Sequence, residues 1–336
     1  MRIAIIGLGM ASAPHAQSLI DLQERLEVAC AYSPTASRRA AFAETWKLPV
    51  TDDLDGLFED PAIDAVLILT PPNSHLELVQ RAAEAGKHIL LEKPLDISIE
   101  RATALVEIAE AKGVKLGTVL QHRFRPISLA LLQLVADGRL GELVGASAKL
   151  SNWRPQSYYD QPGRGTRARD GGGVLLTQGI HTLDLLISVA GLPVEATAYA
   201  TTTPVHRMET EDLVAGAVRF ASALGTVSAT TCAYPGIPDT IEIIGTKGTA
   251  RIEGARLFAN LHDSTTIELD DGQLGGGAGA DPMAFSHAHH RAVIEDFIDS
   301  VEQDRQPRVS GREALKVHRL IEALLRSAET GHRVTV

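Results

Sequence analysis

From Arg2 to Leu120 the chain repeats one pattern, a short and almost wholly apolar run followed by a longer amphipathic stretch. Apolar runs at Arg2–Gly7, Leu26–Tyr32, Asp64–Thr70, His88–Glu92 and Lys115–Leu120 alternate with helical spacing over Ala11–Glu24, Ser37–Trp46, Ser74–Ala85 and Ile99–Lys112. Strands of continuous Val, Ile, Leu and Ala, with no polar alternation, are buried on both faces. Helices between them make the sheet parallel, and right-handed crossovers make it doubly wound.

The texture changes after Gln121. A helix over Ile127–Ala136, a strand over Glu142–Trp153 and a helix over Gly171–Ala190 precede a series of strands from Val194 to Asp270. Successive strands joined by Gly, Pro and Asp-Gly give a largely antiparallel sheet. Two amphipathic helices, His289–Asp304 and Arg312–Thr330, close the chain. The expectation is an α/β protein of two domains, 1–121 and 122–336, which suits a length of 336 residues.

Composition excludes several classes. A formal net charge of −10 argues against a nucleic-acid partner, whose phosphates favour a basic surface. The first residues run straight into a strand without the longer apolar core of a signal peptide, and no apolar stretch is read as a bilayer span. Cys30 and Cys232 lie apart in strands, as buried thiols of a reducing cytoplasm rather than a disulfide framework or zinc site. A cytoplasmic protein with no membrane or nucleic-acid partner is expected.

Gly7-Leu-Gly9-Met10-Ala11-Ser12 joins the first strand to the first helix. Gly7 permits the tight turn and Gly9 lets the backbone approach a pyrophosphate, with Met10 and Ala11 opening the helix beside it. Serine replaces the third glycine and is small enough to keep helix and strand close. This marks a Rossmann dinucleotide site. The second strand ends Ala31-Tyr32-Ser33-Pro34, without the carboxylate that binds an NAD ribose. Ser33 and Arg38 together suit a 2′-phosphate, so NADP is expected to be preferred, with NAD as the alternative.

Three further segments complete a recognisable order: Thr70-Pro71-Pro-Asn73-Ser-His75, then Glu92-Lys93-Pro94, then Gly171-Gly-Gly-Val-Leu-Leu-Thr177-Gln178-Gly-Ile-His181. With Gly7-x-Gly9 and His15, the whole chain resembles the glucose–fructose oxidoreductase/inositol dehydrogenase (Gfo/Idh/MocA) family. The resemblance implies a C-terminal α/β domain on a large open sheet, a homodimer or homotetramer, and Lys93 and His181 as catalytic residues. It also implies a cis peptide before Pro94. Histidine titrates near neutrality and can exchange the proton of a reacting hydroxyl, while an ammonium stabilises charge on the same oxygen. The relatives' Asp at the Thr177 position is absent, so no carboxylate pairs with His181 there; Gln178 or Thr177 is left to orient the imidazole.

The remaining candidates carry less. Thr70, Pro71, Asn73, His75, Glu92 and Lys93 are assigned to cofactor binding, Asn73 and His75 on the nicotinamide side, although Asn73 equally reads as a helix N-cap. Arg123, in Gln121-His122-Arg123-Phe124, matches the family's active-site arginine. Trp153, Tyr158 and Arg164 form a polar-aromatic loop that suits a sugar ring, or is an ordinary surface loop. His287, His289 and His290 read as a surface cluster at a helix start, with a substrate-pocket role as the alternative, and no metal is expected. Five glycines in 272–280 suggest a hairpin or lid. The expected activity is NAD(P)-dependent hydride transfer to or from a ring hydroxyl or ketone of a sugar, sugar derivative or cyclitol. Two alternatives stay open: a cofactor-retaining enzyme that oxidises a sugar transiently for C–O cleavage, and a non-catalytic dinucleotide sensor.

Overall fold

The computed structural model describes residues 1–272 and 286–336, which fall into two compact units. The first unit comprises Met1–Gln121 and Ser286–Leu315. Its strands are β1 (Arg2–Ile6), β2 (Glu27–Tyr32), β3 (Val50–Thr51), β4 (Ala65–Ile68), β5 (His88–Glu92) and β6 (Leu116–Val119). They form one parallel sheet in the order β3-β2-β1-β4-β5-β6, doubly wound about β1. The helices α1 (Ser12–Asp21), α2 (Ala36–Trp46), α3 (Leu54–Glu59), α4 (His75–Glu84) and α5 (Ile99–Ala111) provide the crossovers.

The periodicity finds every element of this unit except β3 and α3. A two-residue strand has no period to detect, and α3 is a short helix capped by Asp53, whose carboxylate accepts from Gly56 N at 2.8 Å. The core is the middle of the sheet: Ile3, Ile6, Leu67, Ile68, Ile89, Leu90 and Leu91 are all fully buried. Each such side chain contributes about 1.5–3 kcal/mol, which explains why the strands tolerate no polar alternation.

One boundary differs from expectation. Residues 286–315, assigned to the second domain from sequence, group with the first. The helix Ala288–Glu302 packs on α1 and against β5 and β6, burying Ile294, Phe297 and Ile298. Gly117 of β6 makes room for it, since a Cβ there would stand 3.1 Å from the Phe297 ring. A helix that follows a run of strands shows its apolar stripe in the sequence but not which sheet the stripe covers.

The second unit comprises the described part of 122–285 and Lys316–Val336. It contains α6 (Pro126–Ala136), β7 (Leu143–Trp153), α7 (Gln156–Tyr159), α8 (Arg167–Asp170) and α9 (Ile180–Ala190). Then follow β8 (Glu195–Thr201), β9 (Leu213–Arg219), β10 (Leu224–Thr230), β11 (Cys232–Gly245), β12 (Gly248–Glu253), β13 (Arg256–Leu261), β14 (Thr266–Asp270) and β15 (Val334–Thr335). The sheet runs β14-β13-β12-β11-β7-β10-β9-β8-β15 and is antiparallel except between β7 and β10. One face is apolar and buried through Val214, Val218, Val227, Ile241 and Ile243, with α9 packed on β7 and β11. The alternate positions, among them Tyr199, Leu224 and Ile244, are exposed.

The helix expected over Gly171–Ala190 is interrupted. Gly171 turns left-handed after α8, and Leu175–Gly179 is a π-helical turn that leads into α9. By length and composition Arg167–Ala190 is long and apolar enough to cross a membrane, which the sequence reading missed, but 78% of its apolar window is buried inside the protein. Both cysteines are free and only half-buried, not buried as expected. The expected lid, apart from Gly272, lies outside the described residues.

Candidate active site

In the first unit the site is built on the carboxyl edge of the parallel sheet. Gly7 has φ +107°, and a Cβ there would stand 2.9 Å from the Leu69 carbonyl carbon and Thr70 N. Only glycine holds this turn. At Gly9 a Cβ would meet nothing within 4 Å, so open space lies over the backbone at the start of α1. The Ser12 hydroxyl donates to the Gly9 carbonyl at 2.7 Å and closes the turn in place of the third glycine. Met10 is exposed and Ala11 half-buried. A clear approach to backbone N–H groups at a helix start fits a pyrophosphate.

At the tip of β2 the predicted pair differs in exposure. Ser33 is buried, with its hydroxyl accepting from Thr35 N at 3.3 Å, and Arg38 is exposed. The arginine that reaches this turn is Arg39, which donates to Ser33 O and to the Asp52 carboxylate, both at 2.7 Å.

At the end of β4, Thr70 accepts a hydrogen bond from the Ser74 hydroxyl at 2.8 Å, and Pro71 and Asn73 are exposed. Asn73 lies in a single turn over Pro72–Ser74 and does not cap α4. His75, expected to line the nicotinamide side, is fully buried. Its Nε2 lies 2.9 Å from Thr70 O, and its Nδ1 lies 3.0 Å from Leu95 O and 3.1 Å from Pro94 O. The imidazole thus ties the β4 loop to the β5 loop instead of facing a ligand.

β5 delivers Glu92 and Lys93 to the same edge. The Glu92 carboxylate accepts from His15 Nε2 at 3.0 Å and from Lys93 N at 2.9 Å, and the Lys93–Pro94 bond is cis, as expected. Burial alone would raise the Glu92 carboxyl, but the His15 hydrogen bond and nearby positive charge outweigh it and hold it below the usual carboxylate range. His290 completes the group, edge-on to His15 with ring centroids 5.0 Å apart. The sequence places His290 in a surface cluster; it is instead buried, and burial pushes its imidazole down to about 3. His287 is the member that reaches outward, pairing with Asp21 at 2.8 Å. The ligand atoms of His15, Glu92 and His290 all lie within 4.8 Å of one another, an association between distant segments that no local motif announces.

The second unit has its own candidate residues, gathered at α9. Glu211 organises its approach: its carboxylate accepts from Gly173 N and Leu175 N at 3.0 and 3.2 Å, and its carbonyl accepts from Val174 N at 2.9 Å. A Cβ on Gly173 would fall 1.9 Å from that carbonyl oxygen, which accounts for glycine at this point of the Gly-Gly-Gly run. The Thr177 hydroxyl donates to Gly173 O at 2.7 Å and sits against the Gln178 side-chain oxygen. His181 follows on the first turn of α9, its ring 4.9 Å from that of His122 and tilted 32° to it.

That contact alters the reading of residues 121–124. Arg123 is buried in a bidentate pair with Asp184, Nε to Oδ2 at 2.7 Å and Nη2 to Oδ1 at 2.6 Å. The arginine expected to face substrate therefore braces α9, and His122 is the neighbour of His181. Asp239 is a residue the sequence reading missed altogether. It accepts from the Thr182 hydroxyl at 2.5 Å, and burial pushes its carboxyl up to about 6. Trp153 stacks edge-on against Tyr234 at 5.5 Å, and Tyr158 meets Arg164.

Residues 1–119 match the family described as "Oxidoreductase family, NAD-binding Rossmann fold", and residues 128–251 match the GFO/IDH/MocA C-terminal domain. The chain is 29% identical to a myo-inositol 2-dehydrogenase of Thermotoga maritima, over 93% of this chain and 92% of the relative. It is 28% identical to a D-xylose 1-dehydrogenase (NADP(+)) of Haloferax volcanii, over 92% and 91%. The WlbA dehydrogenase of Bordetella pertussis, solved with NADH and UDP-GlcNAcA, superposes with a TM-score of 0.85 at 26% identity, covering 100% of this chain and 98% of that one.

Proposed function

The chain belongs to the GFO/IDH/MocA family of NAD(P)-dependent oxidoreductases, and from that premise we propose that it interconverts a ring hydroxyl and ketone of a sugar, sugar derivative or cyclitol. The observation that carries the reading is the placement of Lys93. It leaves β5 beside Glu92, whose carboxylate is held by His15 of α1, the helix that begins at the glycine turn. Glu92, the residue before Lys93, is thus hydrogen-bonded to the helix that begins at the glycine turn.

Gly7, Gly9 and the start of α1 would hold the pyrophosphate, and a bound nicotinamide would supply the redox chemistry of hydride transfer. The protein's own task is the proton. In this reading the Lys93 ammonium hydrogen-bonds the reacting oxygen and stabilises its developing negative charge. His181 takes the hydroxyl proton in oxidation and returns it in reduction.

NADP is the proposed preference. Ala31-Tyr32-Ser33-Pro34 at the tip of β2 holds no carboxylate of its own, the nearby Asp52 is paired with Arg39, and Arg38 is exposed on the first turn of α2, free to meet a 2′-phosphate. The relatives use either form by name, NADP for the xylose dehydrogenase and NADH for the WlbA complex. A homodimer or homotetramer belongs to the same proposal, supported by the sheet face that exposes Tyr199, Leu224 and Ile244. So does a cytoplasmic location, consistent with two free thiols.

The test is a panel of aldoses, uronates, anhydrosugars, inositols and nucleotide sugars, each with NAD⁺ and NADP⁺, followed by nicotinamide absorbance. Stoichiometric reduction with at least one member supports the proposal. Dinucleotide binding with no redox change across the panel would leave a sensor, and product formation without net absorbance change would leave a cofactor-retaining enzyme.

A further inference from the structure

The segment after β7 gathers positive charge around a single tyrosine. Arg164 Cζ lies 4.8 Å and Arg154 Cζ 5.8 Å from the centroid of the Tyr158 ring. Arg164 Nη1 also donates to the Tyr158 hydroxyl at 3.0 Å, while its Nε is buried with no hydrogen-bond partner. Arg164 makes no ion pair among the described residues. Asp170 accepts from Arg169 and from Gly165 N, and Asp239, which is buried, accepts from Thr182. Arg154 is itself buried, and burial together with the repulsion of Arg164 holds its guanidinium below the usual arginine range.

Two guanidinium groups sharing one aromatic ring, one of them without a counter-charge, are costly unless an anion joins them. The geometry that results is a receptor. Arginine offers planar paired donors to a carboxylate or phosphoryl group. The Tyr158 hydroxyl, already accepting from Arg164, has its own O–H left to donate. The cluster also lies on the same unit as His181: Arg154 acts electrostatically on Asp239, and Asp239 holds Thr182, the residue next to His181.

We propose that Arg164 and Tyr158 form an anion-binding subsite and that the substrate is an acidic sugar, carrying a carboxylate or a phosphoryl group. This rests on the reading of the protein as a sugar dehydrogenase and narrows it to one substrate class. Both anions share the chemistry the subsite recognises, so the source is left to the test.

The experiment is calorimetric titration of the full-length protein with four probes: D-glucose, D-glucuronate, D-glucose 6-phosphate and UDP-glucuronate. Wild type, R164Q and R164K are compared. At least one anionic probe is expected to bind about tenfold or more tightly than glucose, with R164Q lowering that ratio by about tenfold and R164K by less. Tighter binding of glucuronate assigns the subsite to a carboxylate; tighter binding of the sugar phosphate or UDP-sugar assigns it to a phosphoryl group. Added salt should weaken the anionic probes and spare glucose in the wild type, a comparison that needs no variant to fold. Equal affinity for glucose and all anionic probes, a ratio unchanged in R164Q, or no response to salt would each overturn the subsite. Hydride transfer with neutral sugars alone would keep the dehydrogenase and remove the subsite. Arg164-dependent binding of an acidic sugar with no hydride transfer to any substrate would do the reverse.

Discussion

His15 and Glu92 are separated by 77 residues and meet in a buried hydrogen bond of 3.0 Å. An ionised carboxylate only accepts, so the proton sits on His15 Nε2, and the second carboxylate oxygen is left for Lys93 N. The backbone that presents Lys93 is thereby fixed to the helix that starts the dinucleotide turn. Exchanging Glu92 for Gln keeps the shape but gives up the charge-assisted bond. A loss of about 1–3 kcal/mol is expected in urea unfolding, together with a lower kcat. Unchanged stability and kcat would show that the bond does not hold Lys93 in place.

Lys93→Met and His181→Ala are expected to lower kcat by about a hundredfold or more while dinucleotide binding persists. Steady-state rates on any active sugar, paired with NADPH fluorescence titrations, separate the two effects. Near-normal turnover in either variant removes that residue from the chemistry.

Ser33→Asp should move the cofactor ratio toward NAD, because a carboxylate at the tip of β2 favours a ribose hydroxyl and repels a 2′-phosphate. Ser33 is buried against Thr35, so Arg38→Ala is the gentler companion and should weaken NADPH more than NADH. Titration of both cofactors decides it, and equal losses for NADPH and NADH would end the assignment.

Two buried groups give stability opposite dependence on pH. Asp239 has its carboxyl raised to about 6, so the native state holds a proton that the unfolded chain has released; its contribution is present at low pH and is lost between about pH 4 and 6 as pH rises. His290 is lowered to about 3, so the unfolded chain binds the proton first, and its contribution is lost as pH falls from about 6.5 toward 3. Thermal melts across this range should show D239N losing less stability than the wild type as pH rises. H290Q should lose less as pH falls. Parallel curves for all three proteins would refute both assignments.

The sequence was legible wherever a signal is local. Continuous apolar strands, the glycine turn and Glu92-Lys93-Pro94 each announce themselves within a few residues, and the parallel sheet follows from them. Arg123 and His122 show where this fails: adjacent in the chain, both meet α9, and only the pairing of Arg123 with Asp184 leaves His122 as the neighbour of His181. His75 looked like a ligand because its neighbours end a strand, yet three main-chain carbonyls claim it. Asp239 and Glu211 carry no motif at all. Their roles come from the strands and loops opposite them, which residue spacing does not reveal.

The helix Ala288–Glu302 completes the first unit although the whole of the β-rich unit up to β14 precedes it in the chain. Chains emerge from the ribosome in order, at roughly 5–20 residues per second, and an N-terminal domain ordinarily folds before the next is made. Here the parallel sheet is synthesised first, but the helix that buries Ile294, Phe297 and Ile298 is among the last segments to appear. The nascent sheet must therefore wait, with part of its apolar surface uncovered, while the second unit is translated. The protein's demand for chaperone protection would be set by that interval.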